Sequence, residues 1–399
     1  MTNEQEFFLD ALADYLHGRA TKPPEGLNWR IIEQYAASHQ VEGIIWNQCK
    51  EYLKKRDDLK SARRHFETSS VASCFCYANN VQSRKELKSE FAKDKINCFF
   101  VKGLDIAALY PIPAYRTMGD MDIVMKTEDR NRISGIMKKL GFIEDKGERV
   151  RQYKKSTTRL EIHDELINGD NLEIPERRKF FNTCWEYVEV MGDGSCLLNW
   201  NFHLLFLIEH TKQHFSASGV GFRQFMDIAV VTQRKEDLDW DWIEKQLKNI
   251  KLWDFTVMTF AFLKKWWDIP SPMPIHDVGE DCFKESTDFI FKNGVFGFDN
   301  ENASIHLIEK QMRVTSVPKF LRAFKVAKKK VCISYNSAVM LPYCSFVRGK
   351  RFLLPYAWVY RIFYVATHKK GHISRTIKLI FGYREVIDYH RRLMDSWGV

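Results

Sequence analysis

Two aspartates separated by one residue, Asp120 and Asp122, open the segment of the chain with the clearest chemical potential. The segment Asp-Met-Asp-Ile-Val-Met alternates polar and apolar residues, which predicts a β-strand. Side chains two residues apart on a strand point the same way, so both carboxylates would lie on one face. Adjacent carboxylates repel each other, and a divalent cation relieves that repulsion. The spacing therefore predicts a site for Mg²⁺ (or Mn²⁺), which prefers oxygen ligands.

A second alternating segment carries Glu161 and His163 on the polar face of another predicted strand. If this strand pairs with the first, Glu161 joins the two aspartates. Three carboxylates can hold two metal ions that clamp the attacking and leaving oxygens of a phosphoryl displacement. We therefore predict that Asp120, Asp122 and Glu161 bind metal and act in catalysis. His163 is a candidate substrate contact on the same face.

Lys102 and Gly103 follow a short apolar run that predicts a buried strand. Glycine lets the backbone approach a triphosphate closely. A helix predicted to start here would offer N–H groups to anionic oxygens. Lys102 and Arg116 can neutralise charge on the transferred phosphate. Lys102, Gly103 and Arg116 are therefore predicted to bind the nucleotide.

In this order the motifs resemble the nucleotidyltransferase superfamily of DNA polymerase beta over residues 96–163. Over about residues 30 to 270, the chain resembles more closely an uncharacterised bacterial nucleotidyltransferase family often found near polysaccharide and natural-product gene clusters. The resemblance implies metal-dependent transfer of a nucleoside monophosphate from a nucleoside triphosphate, such as ATP, to a hydroxyl group. Pyrophosphate would be released.

The resemblance also covers a second group of polar residues, which it makes candidates for substrate binding. They are His210, Lys212, His214, Arg223 and Asp227. The broad superfamily usually has serine after the glycine of the Lys-Gly position, whereas Leu104 follows here. The gap from Gly103 to Asp120 is also longer than usual. The closer family shares both features.

Simpler explanations exist for this second group. His210 and His214 are four residues apart on a predicted helix, which suits either a zinc site or two packed histidines. No third zinc ligand can be identified. Lys212 reaches either a phosphate or solvent. Arg223 and Asp227, also four apart, form either a helix salt bridge or part of a substrate site.

The order of predicted elements gives an α+β fold with an α/β-type core. This core is a small mixed β-sheet with flanking helices, preceded and followed by mainly helical regions. The predicted strands cover residues 96–102, 120–125, 149–155 and 158–164. Helices are predicted after the first two strands, over residues 103–110 and 127–140. Four more are predicted after the sheet, over residues 202–214, 222–234, 240–249 and 253–267.

We divide the chain into four parts. Residues 1–92 form a helical region, 93–200 the nucleotidyltransferase core, 201–300 a helical domain and 301–399 a basic helical region. Residues 311–399 hold 18 Lys/Arg and 3 Asp/Glu, a net charge of +15, although the whole chain carries only +10. This imbalance predicts an anionic partner, RNA or anionic lipid, at the basic quarter.

The aromatic segment 352–367 lies in that quarter and has basic flanks. It suits either a membrane surface or a buried core helix. No uncharged apolar run is long enough to span a bilayer, and the N-terminus lacks a signal pattern. The nine irregularly spaced cysteines are typical of free thiols in a reducing compartment. We expect a cytoplasmic protein, with peripheral attachment to the inner face of the membrane left open.

Two other functions remain open beside nucleotidyl transfer. An Asp-x-Asp motif also holds the metal of glycosyltransferases that use sugar nucleotides. Such enzymes typically build a nucleotide-binding αβ unit before the motif, whereas one clear strand precedes Asp120 here. The third candidate is a non-catalytic protein that binds RNA or an anionic membrane. The hydroxyl acceptor, be it a sugar, a metabolite, a protein or RNA, is not fixed by the sequence.

Overall fold

The computed structural model describes most of the chain. It covers residues 1–145, 151–167, 174–190, 195–217, 219–295, 342–368 and 384–399, with Cys332, Tyr335 and Ala338. The helices before the sheet are α1 (Asn3–His17), α2 (Trp29–His39), α3 (Glu42–Lys54) and α4 (Lys60–Lys93). Those between its strands are α5 (Gly103–Ala107), α6 (Thr127–Arg130), α7 (Ser134–Lys139) and α8 (Pro175–Phe181). Those that follow are α9 (Trp200–Ala217), α10 (Phe222–Arg234), α11 (Trp240–Asn249), α12 (Trp253–Trp267), α13 (Glu280–Asn293), α14 (Leu354–His368) and α15 (Arg384–Ser396).

The described strands form one mixed sheet in the order β3-β4-β5-β2-β1-β7-β6. They are β1 (Cys98–Val101), β2 (Met121–Met125), β3 (Ile143–Asp145), β4 (Arg151–Lys155), β5 (Thr158–His163), β6 (Val188–Val190) and β7 (Cys196–Leu198). β2 pairs antiparallel with β1 and parallel with β5. The sheet and its flanking helices confirm the predicted α+β fold.

Alternation along the central strands separates a core face from a polar face. Ile123 and Met125 of β2 and Leu160 and Ile162 of β5 are buried in one apolar cluster, which also contains Leu87 from α4. Burying each such side chain contributes about 1.5–3 kcal/mol. The alternate residues of β2 and β5 point to the opposite face, where the candidate site lies.

The helix predicted over residues 127–140 is wrong as a single element. α6 and α7 are separated at residues 131–133. At this break the buried Asp129 carboxylate accepts a hydrogen bond from the Asn97 backbone N–H (3.3 Å) and one from Arg132 (3.0 Å). The helical segment still ends just before Gly141, which has φ 80°.

The helices after the sheet follow the predicted pattern closely. α10, α11 and α12 have the predicted bounds, and α9 is longer by a few residues at each end. Their aromatic side chains form a core around Trp397, which is fully buried. Its ring lies 4.6 Å from that of Phe215 and 4.5 Å from that of Phe262. Its indole N–H donates to Ser286 (2.9 Å).

Two compact units make up the chain: residues 1–298 with 397–399, and residues 299–396. The four-part division remains a prediction. In the second unit, α14 buries Ala357 but exposes Tyr356, Val359, Tyr360 and Phe363. The interpretation of segment 352–367 as a buried core helix is therefore wrong for this face of the helix. No helix in the described ranges is long and apolar enough to span a membrane.

Candidate active site

The centre of the candidate site is the pairing of β2 with β5. Asp122 lies directly opposite Glu161, and Val124 lies opposite His163. Because the strands are parallel and in this register, the carboxylates of Asp122 and Glu161 and the imidazole of His163 share the polar face of the sheet. The neighbouring strand β1 ends opposite Asp122, at Val101, so Lys102 arrives beside the same carboxylate.

Two cationic side chains contact Asp122. Lys102 Nζ lies 3.2 Å from one carboxylate oxygen, and His163 Nε2 lies 3.0 Å from the other. His163 Nε2 is also 3.5 Å from Glu161, whose other oxygen accepts a hydrogen bond from Gln152 (2.6 Å). No sequence pattern singles out Gln152, because its contact with Glu161 depends on the pairing of β4 with β5.

Opposite charges set the protonation of this cluster. Burial favours the neutral form of both Asp122 and His163, but their contact outweighs burial. Lys102 and His163 lower the pKa of Asp122, while hydrogen bonds to Asp122 and Glu161 raise the pKa of His163 to about 9. The hydrogen bond from His163 is also the main cause of a lowered pKa for Glu161. At neutral pH both carboxylates are ionised and the imidazole is protonated.

Asp120 lies at the rim of the cluster and behaves differently. The residue is exposed and immediately precedes β2. The surrounding protein desolvates its carboxylate, and the negative charges of Asp122 and Glu161 add to this, so that its pKa rises to about 6. The pKa of Asp120 is thus raised, whereas those of Asp122 and Glu161, which contact cationic side chains, are lowered.

One group of side chains in the described ranges has the geometry of a metal site. Ligand atoms of Asp122, Glu161 and His163 lie within 4.8 Å of one another. Asp120 is adjacent to this group without belonging to it. His210 and His214, the candidate zinc ligands, do not belong to it either.

The match to known families covers the same region. A family described as "Uncharacterised nucleotidyltransferase" matches residues 25–268, more than half of the chain. The chain belongs to this family. Comparison with curated proteins and with solved structures gives no significant match. The family spans the sheet with its carboxylates, most of the preceding helices, and α9 to α12.

In this chain, Arg116 and Asp227 lie together beside the Lys102–Gly103 turn. Arg116 is 3% exposed and donates from Nε and Nη2 to the two Asp227 oxygens, both at 2.7 Å. Its Nη1 donates to the Gly103 carbonyl (3.2 Å), and Tyr110 donates to Asp227 (2.7 Å). The structure thus gives Arg116 contacts with protein groups in place of the expected exposure to a phosphate.

The remaining predicted residues lie on α9 and α10. His203, Phe206, His210 and His214 follow one face of α9, and Lys102 Nζ lies 5.0 Å from the centre of the Phe206 ring. Burial, together with the positive charge of Lys102, lowers the pKa of His214 to about 4 and that of His210 well below its usual value. Both imidazoles are therefore neutral at pH 7.

Lys212 and Arg223 take different positions. Lys212 lies about 200° around the α9 axis from His210, and its charge acts on Glu209. Arg223 is largely buried, and its Nη1 lies 4.0 Å from Asp227, which is already paired with Arg116. Its Nε is buried without a hydrogen-bond partner among the described residues. Arg223 thus carries a positive charge that the neighbouring protein only partly balances.

Sequence reasoning missed His203. This residue is fully buried, and its Nε2 accepts a hydrogen bond from the Lys102 backbone N–H (2.9 Å). The available signal was its spacing of seven residues from His210, which places both on one face of a helix.

Proposed function

We propose that this protein transfers a nucleoside monophosphate from a nucleoside triphosphate to a hydroxyl acceptor, in a reaction that requires a divalent metal. The observation that carries the proposal is the register that sets Asp122 against Glu161, with Asp120 at the rim. Membership of a nucleotidyltransferase family supports it.

The residues present fit a hard cation such as Mg²⁺ or Mn²⁺. Asp120, Asp122 and Glu161 offer carboxylate oxygens, the donors that magnesium prefers. Desolvation first, and then the negative charges of Asp122 and Glu161, raise the pKa of Asp120, and a bound cation would favour its ionised form. A bound metal would supply charge neutralisation on the attacking and leaving oxygens. We assign the metal-binding role to the three carboxylates, and to His163 the role of orienting Asp122 and Glu161.

In the proposed reaction, the acceptor oxygen forms a bond to the α-phosphorus and the bond from that phosphorus to the bridging oxygen of pyrophosphate breaks. Glu161, which is ionised at neutral pH, accepts the hydroxyl proton. Lys102 exchanges its contact with Asp122 for the phosphates, and the partly balanced charge of Arg223, which interacts electrostatically with Asp120, adds positive charge near them. Arg116 acts as a positioning residue, since its guanidinium is bound to Asp227 and Gly103.

The test is an incubation of the protein with each α-labelled nucleoside triphosphate, Mg²⁺ or Mn²⁺, and a cell extract as the source of acceptor. Label transfer to a product would support the function, and the chemistry of that product would identify the acceptor class. Absence of transfer, together with absence of metal-dependent nucleotide binding by calorimetry, would contradict it.

Metal affinity is expected to rise with pH. Below pH 6 Asp120 is protonated, and below pH 9 the charged His163 competes for the carboxylates. We expect Mn²⁺ binding, followed by electron paramagnetic resonance, to weaken about tenfold from pH 7 to pH 5. The Asp120→Asn variant should lose this decrease in Mn²⁺ affinity between pH 7 and pH 5. Glu128→Gln, at an exposed position away from the cluster, should keep it. Equal affinity at both pH values in the wild type would contradict the assignment of Asp120.

A glycosyltransferase that uses a sugar nucleotide is the less favoured function. Before Asp120 the described residues form helices and the single strand β1, without the nucleotide-binding αβ unit that such enzymes typically carry. Hydrolysis of sugar nucleotides without use of plain triphosphates would favour it instead.

We further propose that the second unit attaches the protein to the inner face of an anionic membrane. Tyr356, Val359, Tyr360 and Phe363 lie on one face of α14 and are 37–66% exposed, and the preceding Phe352 is 79% exposed. An exposed aromatic face of this kind is typical of a binding surface. Three exposed cations, Arg348, Lys350 and Arg351, stand next to it. The charge of residues 311–399 supports an anionic partner.

Sedimentation with vesicles tests this attachment. The protein should bind vesicles that contain phosphatidylglycerol and not pure phosphatidylcholine, and added salt should weaken binding. Substituting both Phe352→Ser and Phe363→Ser should reduce binding at least tenfold, because two apolar side chains lose their burial. Ile143→Ser, at an isolated exposed position on β3, is the matched control. Unchanged binding by the double variant, or binding to RNA alone, would contradict the proposal.

A further inference from the structure

The backbone at Lys102 has an unusual conformation for a residue with a side chain. Its φ is 56° and its ψ is −127°, and the following Gly103 has φ 39°. Residues other than glycine avoid this region because Cβ contacts the backbone, so the conformation is strained. Such a conformation persists only where surrounding contacts impose it.

Two side chains hold the two peptide groups of the turn. The Lys102 N–H donates to His203 Nε2 (2.9 Å), and the Gly103 carbonyl accepts from Arg116 Nη1 (3.2 Å). Arg116 is fixed by two hydrogen bonds to Asp227. His203 is fixed by stacking on Trp200, with ring centres 5.2 Å apart and planes at 17°. The turn is thus hydrogen-bonded both to α9 and to the Arg116–Asp227 ion pair.

His203 is an expensive residue to bury at this position. Because Nε2 accepts a hydrogen bond, the proton of the neutral ring lies on Nδ1, and Nδ1 is buried without a hydrogen-bond partner among the described residues. An unpaired buried donor destabilises the folded state, because it has lost its hydrogen bond to water and gained none. An apolar side chain of similar size would avoid this cost, but it would leave the Lys102 N–H without its acceptor.

We propose that His203 is a positioning residue that holds the Lys102–Gly103 turn in its strained conformation and so places the Lys102 ammonium on the polar face of the sheet. The ammonium then lies 3.2 Å from Asp122 and over the Phe206 ring, where it meets the nucleotide. This inference rests on the proposed function for its effect on catalysis. Its effect on the backbone does not depend on that function.

The first experiment therefore measures hydrogen exchange at the Lys102 amide. His203→Leu removes the acceptor and keeps the volume, and we expect at least tenfold faster exchange at this amide. His203→Gln, which retains an acceptor, should restore protection in part. Phe215→Leu is the control, since it truncates a buried ring on the same helix away from the turn. Unchanged exchange in His203→Leu, or equal acceleration in Phe215→Leu, would overturn the proposal.

The second experiment is a double-mutant cycle on nucleotidyl transfer. His203→Leu should lower turnover about ten- to a hundredfold, and His203→Gln should recover part of it. If His203 acts through Lys102, then His203→Leu should cause little further loss in a Lys102→Ala background. Additive losses would overturn the positioning role. Absence of transfer by the wild type would instead count against the proposed function, and the exchange measurement would still decide the role of His203.

Discussion

Replacing Asp122 by asparagine is expected to lower the turnover for nucleotidyl transfer by about a thousandfold or more. Asp122 lies at the centre of the cluster, opposite Glu161 and in contact with both Lys102 and His163. The amide keeps the shape of the side chain but loses the charge that would hold a metal. Two cationic side chains would then face each other across a neutral group. Initial rates with labelled triphosphate at saturating Mg²⁺ measure the loss.

A folding defect must be separated from this loss of chemistry. We expect Asp122→Asn to lower the free energy of unfolding by about 1–3 kcal/mol, because a mostly buried ion pair loses one partner. Rates are therefore compared below the melting temperature of the variant. Glu128→Gln, an equivalent change at an exposed position, should keep the wild-type rate. A fully active Asp122→Asn enzyme would eliminate the proposed metal centre.

Replacing Asp227 by alanine is expected to cost about 3–5 kcal/mol of unfolding free energy. The carboxylate is 4% exposed and accepts two hydrogen bonds from Arg116 and one from Tyr110. Its loss leaves the buried Arg116 guanidinium with the Gly103 carbonyl as the hydrogen-bond acceptor that remains to it among the described residues. A buried charge without its counter-charge carries a desolvation cost that nothing offsets. Denaturant unfolding monitored by tryptophan fluorescence gives the value.

The matched control breaks an ion pair that is exposed to solvent and not buried. Glu244 and Lys248 pair across one turn of α11 at the surface. Glu244→Ala should cost no more than about 0.5 kcal/mol, because water screens and competes for exposed charges. If Asp227→Ala were as mild as Glu244→Ala, the Arg116–Asp227 pair would not have the structural role that its burial indicates.

The strands of the site could be predicted because alternation is a local property of the sequence. The polar residues of β2 and β5 each follow from a period of two. Their pairing could only be stated as a condition, since Asp122 and Glu161 are far apart in the chain and α6, α7 and two strands intervene. The strands β3, β6 and β7 could not be predicted from local patterns. Each has three residues, and its formation depends on pairing with a neighbouring strand.

What could not be predicted is which charged groups are buried. Arginine is a residue type expected of a phosphate ligand, yet three-dimensional packing places Arg116 against Asp227. The spacing of Arg223 and Asp227 correctly suggested a helix pair, but the dominant partner of Asp227 lies 111 residues away in the chain. The conformation of Lys102 is likewise invisible in sequence, because lysine normally avoids positive φ.

Trp397 is buried in the first unit, so the chain returns to that unit after residues 299–396. Residues 299–396 depart from the first unit and residues 397–399 rejoin it, with the indole of Trp397 enclosed between α9, α10 and α12. The second unit is therefore an insertion with two tethers. A protease that nicks this insertion once would leave both fragments bound through the tryptophan core. Both attachment points of the insertion belong to the unit that carries the carboxylates.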